Sequence, residues 1–149
     1  MELKEIFDSW AECAKRDYAQ KQWLLSKWEL FEGIDWPREK RDFMVKSIIK
    51  GLKIRSTHTL ADFGCGGGWI LHRLKVHVRR IYGVDFSKKM LGFAREASKN
   101  GNFIAGEVGK LPFKSDVFDR ALSYYVFLNF TDDRYVERSL LEIIRVLKR

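Results

Sequence analysis

The chain has 149 residues, 46% hydrophobic and 32% charged, a composition that excludes a disordered or fibrous polypeptide and suits one globular domain with its own core. No apolar run approaches the ~18–20 residues needed to cross a bilayer, and residues 1–8 carry charges where a secretory signal needs an apolar stretch. The net charge of +8 admits an anionic partner, but the cations are spread along the chain, so nucleic acid is a possible partner and not the favoured one.

The spacing predicts helices first. Leu3, Ile6, Phe7 and Trp10 recur at helical intervals, as do Trp23, Leu24, Trp28 and Phe31, until Gly33 interrupts the pattern. Pro37 fits the first turn of the next helix, with Asp35 as its cap and an apolar face of Phe43, Met44, Ser47, Ile48 and Leu52. Residues 1–56 therefore read as an N-terminal helical cap. From Thr59 the rhythm changes, and residues 57–149 read as a second unit in which short apolar runs alternate with helical patterns. Residues 59–62 form a buried strand, followed by glycines and a helix through Trp69, Ile70 and Leu74. Residues 81–84 are a second strand, and Ser87 caps a helix carrying Met90, Leu91 and Ala94 that ends near Gly101. Residues 103–107 and 118–124 are the third and fourth strands. Thr131, Asp132 and Asp133 open a last helix with the face Val136, Leu140, Leu141, Ile144 and Leu147. This alternation implies a parallel sheet with right-handed crossovers. Cys13 and Cys65 lie far apart without metal-ligand spacing and read as reduced thiols of a cytoplasmic protein; no metal is expected.

The chemistry concentrates where the first strand meets its helix. Asp62, Gly64, Gly66 and Gly68 alternate along that turn. Glycine allows positive φ and lets the backbone approach a ligand, and the turn lies at the carboxyl end of the strands, where open α/β sheets bind theirs. Two rivals fail on the letters. A dinucleotide fingerprint needs glycine where Trp69 stands, and no Gly-Lys-Ser/Thr triplet follows to make a phosphate loop. The plain alternative is a tight turn without a ligand. Asp85 ends the second strand about 20 residues on, the spacing at which an acid meets a ribose diol. Its plain alternative is a turn or helix-capping acid.

Taken in order, the glycine turn, Gly83-Val84-Asp85-Phe86-Ser87, Gly106-Glu107-Val108, Phe118-Asp119 and the 142–148 segment resemble the motifs of class I S-adenosyl-L-methionine-dependent methyltransferases, nearest the small-molecule group that contains the ubiquinone and menaquinone biosynthesis enzymes. The resemblance runs from about residue 60 onward and implies a Rossmann-like α/β fold with S-adenosyl-L-methionine as cofactor. It implies that Asp62 holds the methionine amino group, that Gly64, Cys65 and Gly66 pass beneath the methionine moiety, and that Asp85 binds the ribose. Phe86 and Met90 would flank the adenine, Glu107 with Val108 would meet its amino group, and Ser123 and Tyr124, at the end of strand four, would lie near the methyl. Tyr18 or Trp23 would line a lid, unless these aromatics only pack the helices. No catalytic residue is assigned, because in-line transfer can proceed from positioning alone. Cys65 reads as a packing residue and not as a nucleophile.

Relatives carry seven strands in the order 3-2-1-4-5-7-6, so a chain with only the first four leaves strand four at an edge. The apolar run 121–130 then invites a covering partner, either a second copy or another chain. Three functions follow from the resemblance: methylation of a small molecule, a non-catalytic cofactor-binding or partner subunit, or RNA methylation.

Overall fold

The computed structural model describes residues 37–149. Expectations for the first two helical stretches, Gly33, the Asp35 cap, Cys13, Tyr18 and Trp23 lie outside these residues. The elements are α1 (Arg38–Gly51), β1 (Thr59–Phe63), α2 (Trp69–Leu74), β2 (Arg80–Asp85), α3 (Lys88–Ala97), β3 (Asn102–Ala105), β4 (Arg120–Leu122), a 3₁₀ turn (Phe127–Asn129) and α4 (Asp133–Val146). The strands form one parallel sheet in the order β3-β2-β1-β4. This is the Rossmann-like arrangement expected from the sequence.

β1 is buried along its whole length, as a central parallel strand covered on both faces must be. Its alternation divides the core. Leu60 joins Trp69, Leu71, Leu74, Ile81 and Leu91 under α1–α3, while Ala61 and Phe63 join Val84, Phe118 and Val146 under α4. The caps fall where the sequence placed them: Ser87 Oγ accepts from Met90 N at 3.3 Å and Asp132 Oδ1 from Arg134 N at 3.0 Å.

The helix faces differ from expectation. Pro37 stands just before α1 with ψ 146°, and the helix begins at Arg38. Val45 and Ile49 pack inward beside Met44, Ile48 and Leu52, whereas Phe43 is 73% exposed and Ser47 gives its hydroxyl to the Phe43 carbonyl. The apolar side chains of this face pack on the core, and Asp42 pairs with Arg73 of α2 beside it. In α4 the expected face holds at Leu147, which packs against the core, but not at its centre. Leu140, Leu141 and Ile144 are exposed, and the sheet side carries Ser139, Ile143 and Val146. Polar anchors choose this rotation: Glu142 accepts from Leu111 N at 2.8 Å and Arg145 donates to the Phe113 carbonyl at 2.8 Å.

β3 stops at Ala105, and Glu107 instead bridges Lys110 across a tight turn. β4 is shorter than expected. Ser123 Oγ donates to the Phe63 carbonyl at 2.7 Å, replacing the next backbone bond of the ladder, and Tyr125 then turns the chain with φ 60°. Ser123 and Tyr124 therefore lie just past the strand, and the 121–130 run holds only the last two residues of a three-residue edge strand before the chain turns, not one long apolar edge.

Candidate functional site

The carboxyl ends of β1 and β2 meet at the glycine turn. Gly64, Gly66 and Gly68 have φ of 83°, 51° and 76°, the left-handed region that a side chain disfavours. The N–H groups of Gly64 and Cys65 both donate to the Val84 carbonyl, at 2.7 and 3.0 Å, tying the turn to β2. A Cβ on Gly68 would stand 2.8 Å from the Ala94 Cβ, so the absent side chain also lets α3 pack against the turn.

Asp85 is buried, and both its oxygens accept backbone N–H groups: Oδ2 from Gly66 at 2.8 Å and Oδ1 from Ser87 at 2.9 Å. The turn-acid and ligand-acid readings are thus compatible. Each oxygen has a second lone pair, so a carboxylate held this way can still accept from a diol. Asp62 differs. It is 2% exposed, and its Oδ1 is buried without a hydrogen-bond partner. Burial, and after it the charge of Asp85, push its carboxyl well above the usual range. An orphaned buried acid of this kind fits a ligand that brings a positive charge and N–H donors.

The other expected residues divide. Phe86 directly follows β2 and is half-buried, and Gly106 N donates to the Asp85 carbonyl at 3.0 Å, bringing the turn after β3 beside the site. Glu107 is exposed there, while Val108 is buried in the core on the α4 side. Cys65 and Met90 are 3% and 1% exposed and belong to the core on the other side of the sheet, so neither side chain opens toward solvent. Cys65 packs, with its thiol on the Gly66 carbonyl at 3.7 Å. Ser123 closes the β1–β4 ladder and the Tyr124 ring lies tilted against Tyr125, with centroids 4.8 Å apart. Sequence reasoning missed Val126. A Cβ on Gly64 would meet its Cγ2 at 2.2 Å, so the segment after β4 folds over the turn, a contact that no local pattern signals. Among the described residues no group of three or more His, Cys, Asp or Glu is placed to hold a metal.

Known proteins share this arrangement. The family model described as "Methyltransferase domain" matches residues 61–149. The demethylmenaquinone methyltransferase of Thermotoga maritima is 42% identical over 107 residues, 70% of this chain and 45% of that protein. The 2-phytyl-1,4-naphtoquinone methyltransferase of Nostoc punctiforme is 35% identical over 109 residues, 67% of this chain and 46% of that protein. The solved structure of the YcgJ protein from Bacillus subtilis superposes with a TM-score of 0.66 at 29% identity, covering 72% of this chain and 47% of that one. The chain thus spans a little under half the length of these relatives. The family model covers more than half of the chain, and the chain belongs to the methyltransferase-domain family.

Proposed function

We propose that the chain is the cofactor-binding portion of an S-adenosyl-L-methionine-dependent methyltransferase whose acceptor is a small molecule of the naphthoquinol type. The observation that carries this reading is the pair of acids at the glycine turn: Asp85 satisfied by backbone N–H groups, and Asp62 buried with an open acceptor. When bound, the cofactor supplies a methyl group activated by its sulfonium. Asp62 receives the ammonium of the methionine end, and the turn at Gly64, Cys65 and Gly66 lies beneath that arm. Asp85 accepts from the ribose, and Phe86 offers a ring face to the adenine. Glu107 with Val108 faces the adenine edge, Met90 backs that slot from the core, and Ser123 and Tyr124 border the methyl. The chain's contribution is orientation: methyl and nucleophile held in near-attack geometry account for transfer without a dedicated acid or base.

The names of two relatives, a demethylmenaquinone and a 2-phytyl-1,4-naphtoquinone methyltransferase, support this acceptor class. A covering partner is part of the reading. β4 lies at the sheet edge, and Leu128, Leu140, Leu141 and Ile144 are exposed nearby in sequence, a set of large apolar side chains suited to a second copy or another chain. No helix among the described residues is long and apolar enough to cross a membrane. The reduced thiol of Cys65 supports a cytoplasmic setting. The test is methyl transfer from radiolabelled cofactor to a demethylated naphthoquinol dispersed in detergent. Label in the organic phase is the expected result. Cofactor binding without any transfer would point to the non-catalytic subunit, and label in added RNA with salt-sensitive binding would replace the small-molecule acceptor.

A further inference from the structure

Among the described residues, three that are not glycine hold a positive φ: Lys53 at 47°, Asp116 at 58° and Tyr125 at 60°. Two have ordinary reasons. Lys53 comes just after the end of α1, where a left-handed residue stops a helix, and Asp116 is a short acid that tolerates this region. Tyr125 has neither. A ring in the left-handed region costs free energy, and burial does not return it, because Tyr125 is 55% exposed. Anchors on both sides impose the conformation. Before it, Ser123 Oγ donates to the Phe63 carbonyl at 2.7 Å. After it, Val126 occupies the space left by the missing side chain of Gly64, and Asn129 Nδ2 donates to the Tyr125 carbonyl at 2.8 Å and to the Val126 carbonyl at 3.3 Å. The Tyr124 ring braces Tyr125, with centroids 4.8 Å apart and planes tilted by 50°. The strained residue is thus fixed just past the carboxyl end of β4, one residue from the contact with the glycine turn, with more than half of its surface open. Strain held in place by its surroundings in this way clusters at ligand clamps and active sites.

We infer that Tyr125 is a specificity-determining residue for the methyl acceptor: its ring is a platform against which a flat aromatic nucleus packs beside the cofactor turn. The inference rests on the function proposed above and adds the residue that selects the acceptor. Aromatic rings attract one another in offset and edge-on arrangements beyond what plain apolar burial gives. The Tyr124–Tyr125 pair offers a fused two-ring nucleus more ring surface than one side chain does. The backbone strain places the ring, and the ring selects the acceptor. Tyr125 takes no part in making or breaking a bond.

The test uses the whole chain saturated with S-adenosylhomocysteine. The probe is 1-naphthol, a stable two-ring phenol, and the control is decahydro-1-naphthol, its saturated counterpart. 1-Naphthol should bind and move the Tyr125 ring resonances upfield, and the saturated alcohol should bind more weakly. Tyr125→Phe keeps the ring and should hold the 1-naphthol affinity within about twofold. Tyr125→Gly should weaken 1-naphthol by about 3–10-fold, the range of an aromatic pair, and leave the saturated alcohol and S-adenosylhomocysteine within about twofold. Its urea midpoint should stay close to the parental value, because glycine adopts this φ freely and the relief of strain offsets its freedom in the unfolded chain. A ring that only packs would give the opposite pattern, a lower midpoint with both alcohols weakened equally, and that result overturns the inference. Parental 1-naphthol affinity in Tyr125→Gly overturns it as well. Should that variant not fold, the ring resonances of the unsubstituted chain read the same contact, and signals unmoved by 1-naphthol overturn the inference alone. No binding of S-adenosylhomocysteine to the unsubstituted chain overturns the cofactor reading and the inference with it.

Discussion

Replacing Asp85 with alanine should destabilise the folded chain by about 2–4 kcal/mol and weaken cofactor binding by about 1.5–3 kcal/mol. The stability cost comes from the N–H groups of Gly66 and Ser87, which lose their acceptors at 2.8 and 2.9 Å. Each buried donor left unpaired costs ~1–3 kcal/mol. Part of this is offset, because removing the Asp85 charge relieves Asp62. Asp85→Asn keeps one acceptor oxygen and should lose about half as much stability. Urea unfolding measures the first effect and titration with S-adenosylhomocysteine the second. An Asp85→Ala chain with parental stability and affinity would remove Asp85 from both roles.

The largest loss from a single side chain is expected at Phe118→Ala, about 3–5 kcal/mol. Phe118 is fully buried at the centre of the core beneath α4. Its ring meets Phe113, Tyr82 and Phe63 edge-on, with centroids 4.8, 5.2 and 5.9 Å away. Aromatic pairs in this geometry add to plain burial, so alanine would lose both the transferred area and the edge contacts. Phe118→Leu keeps most of the volume and should cost less than about 1.5 kcal/mol. The midpoint of denaturant unfolding, at unchanged slope, reads both. A Phe118→Ala cost below ~1 kcal/mol would mean that this layer collapses around the gap, and that the ring cluster is not its keystone.

The sheet was legible because its signals are local. The first two strands, the glycine turn and the caps at Ser87 and Asp132 each depend on residues a few positions apart, and they appear where the letters place them. Helix rotation was not legible. α1 and α4 both carry apolar residues on more than one stripe, so periodicity alone leaves two rotations open. The observed rotations bring together partners distant in sequence, the core residues and Arg73 for α1, and the core residues and the Leu111–Phe113 backbone for α4. The end of β4 was missed for a similar reason: an apolar run reads as a strand, and nothing nearby announces that Ser123 will bond Phe63, 60 positions earlier. At the site, the motif located Asp62 and Asp85 but not their difference. That difference arises from Gly66 and Ser87 serving one acid and leaving the other bare, which only the folded turn reveals. Met90 shows the limit of position as a guide: its place on α3 is near the site, yet its side chain is spent on the core.

The glycine turn is the feature on which cofactor identity rests, and Trp69 is the residue that separates the two possibilities. It occupies the place of a dinucleotide fingerprint's third glycine and is 2% exposed, packed into the core at the start of α2. The most direct measurement is therefore a calorimetric titration of the chain with S-adenosylhomocysteine and, separately, with NAD. Saturable one-to-one binding of S-adenosylhomocysteine and no heat with NAD is the expected result. Saturable micromolar binding of NAD, with no response to S-adenosylhomocysteine, would contradict it.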